Sequence, residues 1–163
     1  VSTEELPELS YQDFIHARKL HMQQETQESV KRAASANSEN ALLPDEDSRF
    51  ILYSDGPQGI FAVFEDSEQS GWFYLYDANQ RKILKAAHIY NHADAAVEED
   101  IVDIGWAADE SVCGLALWGE FRAFFGLVND FTLLKPLKDS EERGIPPVEW
   151  PAGFEHYLEK KID

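Results

Sequence analysis

The sequence predicts an α+β fold: a curved antiparallel β-meander of six to seven strands, flanked by an N-terminal helix and a short C-terminal helix. Three observations predict it. Residues 50–134 run as short, aromatic-rich segments of period two, broken by turn residues such as Asp55-Gly56-Pro57 and Asp77-Ala78-Asn79. Residues 10–38 place apolar side chains at helical spacing instead, and residues 150–162 return to that spacing. The three stretches read as a single domain over residues 1–163, long enough to bury a core.

The first helix has a well-marked start. Ser10 is a good N-cap, Asp13 stands three residues on, and Leu9 and Phe14 occupy the positions of a hydrophobic staple. Tyr11, Phe14, Ile15 and Met22 share one stripe, which predicts docking on the sheet. Gln23, Gln24, Glu25, Gln27 and Glu28 weaken the second half, and Leu43-Pro44 followed by Asp45-Glu46-Asp47 reads as a linker.

Strands are predicted at Phe50–Ser54, Ile60–Glu65, Trp72–Asp77, Ile83–Tyr90, Ile101–Ala107 and Cys113–Trp118. A polar interruption, Asn91–Asp100, separates the fourth from the fifth. Gly119-Glu120 suits a two-residue type II′ turn that pairs Trp118 with Phe121, Ala116 with Ala123 and Leu115 with Phe124. That register groups Trp118, Phe121, Ala116, Ala123 and Phe125 on one face, with Leu115, Leu117, Phe124 and Arg122 on the other. Both faces are largely apolar, so each needs a cover. The N-terminal helix is the predicted cover on one face, and the C-terminal segment or a second subunit on the other. In that segment Trp150-Pro151 opens a helix bearing Phe154, Tyr157 and Leu158.

Charge narrows the classes of partner. The net charge is −17, of which residues 50–134 carry −10. Such a field repels nucleic acid and anionic membrane surfaces and favours a basic protein partner. Solubility alone also accounts for it. The longest apolar runs are too short to span a bilayer. Cys113 is the single cysteine and sits in an apolar strand, where a thiol acts as a small hydrophobe. The compartment predicted is the cytoplasm, with the periplasm as alternative if a leader preceded Val1.

His88, His92 and Asp94 come nearest to a ligand set. Catalytic zinc takes three protein ligands in fixed geometry, whereas these lie on a strand and in the following loop. Glu98, Glu99 and Asp100 suit a hard cation, an acid–base pair or a basic side chain from a partner. A hydrated acidic loop is the simplest reading. No calcium-hand loop, Gly-x-Ser-x-Gly elbow or phosphate-binding glycine loop is present, and no cofactor or metal is predicted. The candidate binding residues are therefore Asp94, Glu98, Glu99, Asp100, His88, His92 and the aromatic Trp118.

The stretch Glu65-Asp66, Gly71-Trp72-Phe73-Tyr74-Leu75-Tyr76-Asp77, Ile83-Leu84 and Ala87-His88-Ile89-Tyr90-Asn91 resembles a family of small bacterial proteins catalogued as a domain of unknown function. The hairpin Ile104-Gly105-Trp106, Asp109 and Leu115-Ala116-Leu117 is similar to theirs as well. The resemblance covers Phe64 to Phe125 and implies a bacterial source and a compact, sheet-rich fold. It implies no activity and transfers no catalytic residue. Three functional readings follow. The first is a non-enzymatic acidic interaction protein, such as an immunity protein or inhibitor covering a basic toxin. The second is a metal-assisted hydrolase using the His88, His92 and Asp94 region. The third is a structural homodimer joined through a sheet face.

Overall fold

The computed structural model describes residues 12–21, 48–67, 69–92, 95–138 and 143–162. The Ser10 cap, the helix beyond residue 21, the linker at Asp45-Glu46-Asp47 and Asp94 lie outside the described residues. The described part of helix α1 covers residues 12–21. Strands β1 (Ser48–Asp55), β2 (Ile60–Ser67), β3 (Ser70–Asp77) and β4 (Lys82–Asn91) follow. Then come β5 (Val102–Trp106), β6 (Val112–Leu117), β7 (Glu120–Gly126), the short β8 (Thr132–Leu134) and helix α2 (Glu155–Ile162).

The α+β class and the antiparallel meander are as predicted, but the strands among the described residues number eight and divide into two sheets. One has the order β1-β2-β3-β4, the other β5-β6-β7-β8, and each is a simple meander. The division falls at the polar interruption after β4, which carries the chain from one sheet to the other. β5 lies over β1 and β2, and β7 over β4.

Alternation within the strands explains the layering. Ala62, Phe64, Phe73, Leu75, Ala87 and Ile89 face inward from the first sheet, meeting Cys113, Leu115, Leu117, Ala123 and Phe125 of the second. Phe73 stacks on Phe125 across this core with centroids 5.0 Å apart. Such a pair adds about 1 kcal/mol beyond its burial. The opposite residues of the first sheet, Phe61, Val63, Tyr74, Tyr76 and Ile83, pack with Phe14, Ile15 and Ala17 of α1. Those of the second sheet, Val112, Ala116, Phe121 and Phe124, pack with Ile145, Phe154, Trp150 and Tyr157. The molecule is thus four layers deep, with helix, sheet, sheet and C-terminal segment in that order. Both faces of the β6–β7 pair are apolar because one meets the first sheet and the other the C-terminal segment. α1 covers the first sheet, not this hairpin as predicted.

The hairpin register also differs from the predicted one. Leu117 pairs with Glu120, Ala116 with Phe121 and Leu115 with Ala123, leaving Arg122 as an extra residue in a bulge. Trp118 and Gly119 are the turn residues, with φ of 52° and 80°. Left-handed conformation at both positions is the signature of a type I′ turn, not type II′. Side-chain volume gives the reason. This register sets Phe124 opposite Gly114, and a Cβ there would lie 2.8 Å from both the Phe121 and Phe124 rings. The predicted register would have set Phe124 against Leu115. The bulge lets Phe121 and Phe124 share a face, and Trp118 leaves the core altogether.

Candidate functional site: a buried aspartate cluster and an exposed tryptophan turn

Two features stand at the crossover between the sheets. The first centres on Asp66, near the end of β2 and fully buried. Two β-bulges aim side chains at it. In β1 the register slips between Ser48 and Phe50, freeing Arg49, whose Nε donates to Asp66 Oδ1 at 2.8 Å. In β4 it slips opposite Gly71 and Trp72, so that Ile89 and Tyr90 both join the inner core. The Tyr90 hydroxyl then donates to Asp66 Oδ2. Bulges redirect side chains in this way because the inserted residue breaks the strict alternation.

His92 completes the cluster, its Nε2 lying 3.2 Å from Asp66 Oδ1. The Arg49 Nη2 donates to the Val97 carbonyl, and its Nη1 stands 4.0 Å from Glu98. Val97 is itself buried in the core between the sheets. The cluster therefore fastens the crossover to the first sheet. Burial, with the hydrogen bond to Asp66 second, raises the Tyr90 phenol well above its ordinary range. A phenol so held stays protonated, and Asp66 accepts from Arg49 and Tyr90 with the His92 ring beside it. The arrangement suits a latch better than acid–base chemistry.

On the other side of β2, Glu65 pairs with Arg18 of α1 and accepts from the Tyr74 hydroxyl at 3.3 Å. Burial, with the Glu65 charge second, raises Tyr74 well above the usual phenol range. Adjacent residues on one strand thus hold two separate ion pairs on opposite faces, Glu65 in a pair buried on both sides and Asp66 in a pair whose arginine reaches solvent.

The second feature is the turn of the β6–β7 hairpin. Trp118 is 52% exposed. Its backbone N–H donates to the Ile101 carbonyl at 3.0 Å, which sets it beside the 3-10 turn Glu99–Ile101. Glu98, Glu99 and Asp100 are all exposed there. Glu120 faces the C-terminal segment instead, accepting from the Gly144 N–H at 2.9 Å with Arg143 at 3.9 Å.

Of the predicted site residues, Trp118 is joined through its backbone to Ile101, the residue that follows Glu98-Glu99-Asp100 in the chain. The structure separates the histidines: His88 lies beside Trp72 at 5.0 Å on the α1 side, bonded to Asn91 Oδ1 at 3.1 Å, while His92 turns to Asp66. Among the described residues no group of three or more His, Cys, Asp or Glu is placed to hold a metal ion. None of their helices is long and apolar enough to cross a membrane. Sequence reasoning missed Arg49, Asp66 and Tyr90. The available signals were the two acids Glu65 and Asp66 in an apolar strand and Gly71 inside its neighbour.

No curated protein and no solved structure matches the chain. A family model described as "uncharacterized protein conserved in bacteria" matches residues 47–134. That span holds the eight strands of the described residues, the Asp66 cluster and the Trp118 turn; α1 and α2 lie outside it. The chain belongs to this bacterial family, DUF2251, a domain of unknown function.

Proposed function

We propose that the chain is a protein-binding module whose docking surface is the Trp118 turn with Glu98, Glu99 and Asp100, and whose partner is a basic protein. The observation that carries this reading is the conformation of Trp118. A bulky residue at φ 52° is a genuine outlier, and a half-exposed ring adds little to the core. Backbone strain of this kind is worth about 1–3 kcal/mol and gathers at functional positions. An exposed tryptophan is also the residue type that most often anchors an interface. The exposed acids Glu98, Glu99 and Asp100, which precede the Ile101 that bonds the Trp118 backbone, supply steering toward a cationic surface within a chain of net charge −17. The latch at Asp66 supports the reading by fixing the strand end from which this loop departs.

An immunity protein or inhibitor that covers the basic active site of a toxin is the most concrete form of the proposal. A lone, buried thiol at Cys113 suits an encounter in the cytoplasm. The test is capture from a bacterial lysate on the immobilised chain, with Trp118→Ala and a Glu98→Gln/Glu99→Gln/Asp100→Asn variant alongside. One basic protein retained by the wild type and lost from both variants supports the proposal. Equal retention by all three contradicts it.

A further inference from the structure

α1 is seated on the outer face of the first sheet by Phe14, Ile15, Ala17 and Arg18, with Asp13 3.5 Å from Arg81 at the rim. Phe14 lies edge-on to Tyr74 and Tyr76, at 5.4 and 5.5 Å. Ile15 and Ala17 complete the apolar contact. Arg18 reaches the floor and pairs with Glu65, the two side chains being 2% and 4% exposed. No residue of α1 belongs to the core between the sheets. The family match begins at residue 47, so both sheets are complete without this helix. α1 is a docked segment on a face that belongs to the matched region.

We propose that this outer face is a receptor for an arginine-bearing amphipathic helix, occupied in cis by α1. A basic partner's helix, carrying an aromatic residue and an arginine four positions later, displaces α1 from it. Charge complementarity selects that occupant. Glu65 is an anion set among Val63, Tyr74 and Trp72, and a helix that covers it without a cation leaves a buried charge unpaired. Arginine at the fourth position after the aromatic lies on the same helix face, which fixes the register of docking. The −17 charge draws a basic helix toward the molecule in preference to an acidic one. The seat lies on the first sheet and the Trp118 turn on the second, so the two proposals stand or fall separately.

Hydrogen exchange on the full-length chain is the first test. Local release of α1 predicts exchange of its amides at least about 100-fold faster than those of β2 and β3. Equal protection overturns the proposal. The second test titrates a labelled peptide with the sequence of residues 8–24 into the full chain and into a Phe14→Ala/Arg18→Ala variant. The tethered helix competes at high effective concentration in the wild type, so the variant binds the peptide at least about tenfold more tightly. Adding Glu65→Gln removes that gain. Equal binding by variant and wild type, or loss of the near-ultraviolet tryptophan spectrum when α1 is undocked, overturns the proposal.

Discussion

Tyr90 lies across the backbone of Gly71. The two are cross-strand partners, and a Cβ on Gly71 would stand 2.3 Å from the Tyr90 Cζ. Asp66 is the next partner in the same row, paired with Gly71 from the other side. The missing side chain lets a phenol from β4 pass over β3 and reach a carboxylate on β2. A second tyrosine is seated the same way: Tyr157 of α2 lies over Gly105 of β5.

Gly71→Ala therefore removes the passage. The ring has to move and release Asp66, and overpacking together with a lost buried hydrogen bond destabilises by about 3 kcal/mol. Urea denaturation of the variant checks this. Tyr90→Phe already lacks the hydrogen bond, so Gly71→Ala in that background costs less than in the wild type.

Trp118 makes the opposite prediction. A type I′ turn prefers Asn or Gly at its first position, and Trp118 there is strained and half-exposed. Trp118→Gly and Trp118→Asn raise stability by about 1 kcal/mol. Thermal denaturation measures the gain, and the partner-capture assay shows the same variants to have lost binding. A tryptophan that served the fold would show destabilisation.

Alkaline pH unfolds the chain through its tyrosines. Tyr74 and Tyr90 ionise in the unfolded chain near the ordinary phenol value of 10.0, but burial holds them protonated in the folded state. Folded groups with raised values retain protons that the unfolded chain has released. Their stabilisation is complete below pH about 10 and falls by about 1.4 kcal/mol per pH unit for each group above it. Phenolate absorbance followed with circular dichroism should show these tyrosines titrating together with loss of structure. Smooth titration at their ordinary value, with the fold intact, would be the contrary result.

Cys113 reports on opening of the core. Its thiol is fully buried between the sheets, and burial pushes it up to about 12. A thiol reagent at neutral pH reacts only as fast as the sandwich opens, and faster in proportion as denaturant is added.

Much of the architecture was legible in the chain because alternation and turn residues are local signals. The meander, the docking of Phe14 and Ile15 and a short C-terminal helix bearing Tyr157 follow from spacing, although that helix starts at Glu155 and not at Trp150-Pro151, where the backbone is extended. The split into two sheets was not legible, because Asn91–Asp100 reads as a polar loop whether it joins strands within a sheet or between sheets. The hairpin register failed for a non-local reason: Gly114 makes room for Phe121 and Phe124, and the bulge at Arg122 shifts one residue. The Asp66 cluster was hidden by the same device. Bulges at Arg49 and beside Tyr90 turn side chains toward Asp66 that plain alternation would have pointed elsewhere. The backbone bond from Trp118 to Ile101, which ties the hairpin turn to the end of the Glu98-Glu99-Asp100 segment, is one that no spacing reveals.

Affinity for the captured basic partner, measured against salt concentration for the wild type, Trp118→Ala and the Glu98→Gln/Glu99→Gln/Asp100→Asn variant, tests the central claim most directly. An aromatic anchor beside a steering charge predicts that Trp118→Ala weakens binding at every salt concentration while keeping the wild-type slope. The neutralised variant flattens the slope. Unchanged affinity and slope in both variants would contradict the claim that this turn is where the partner docks.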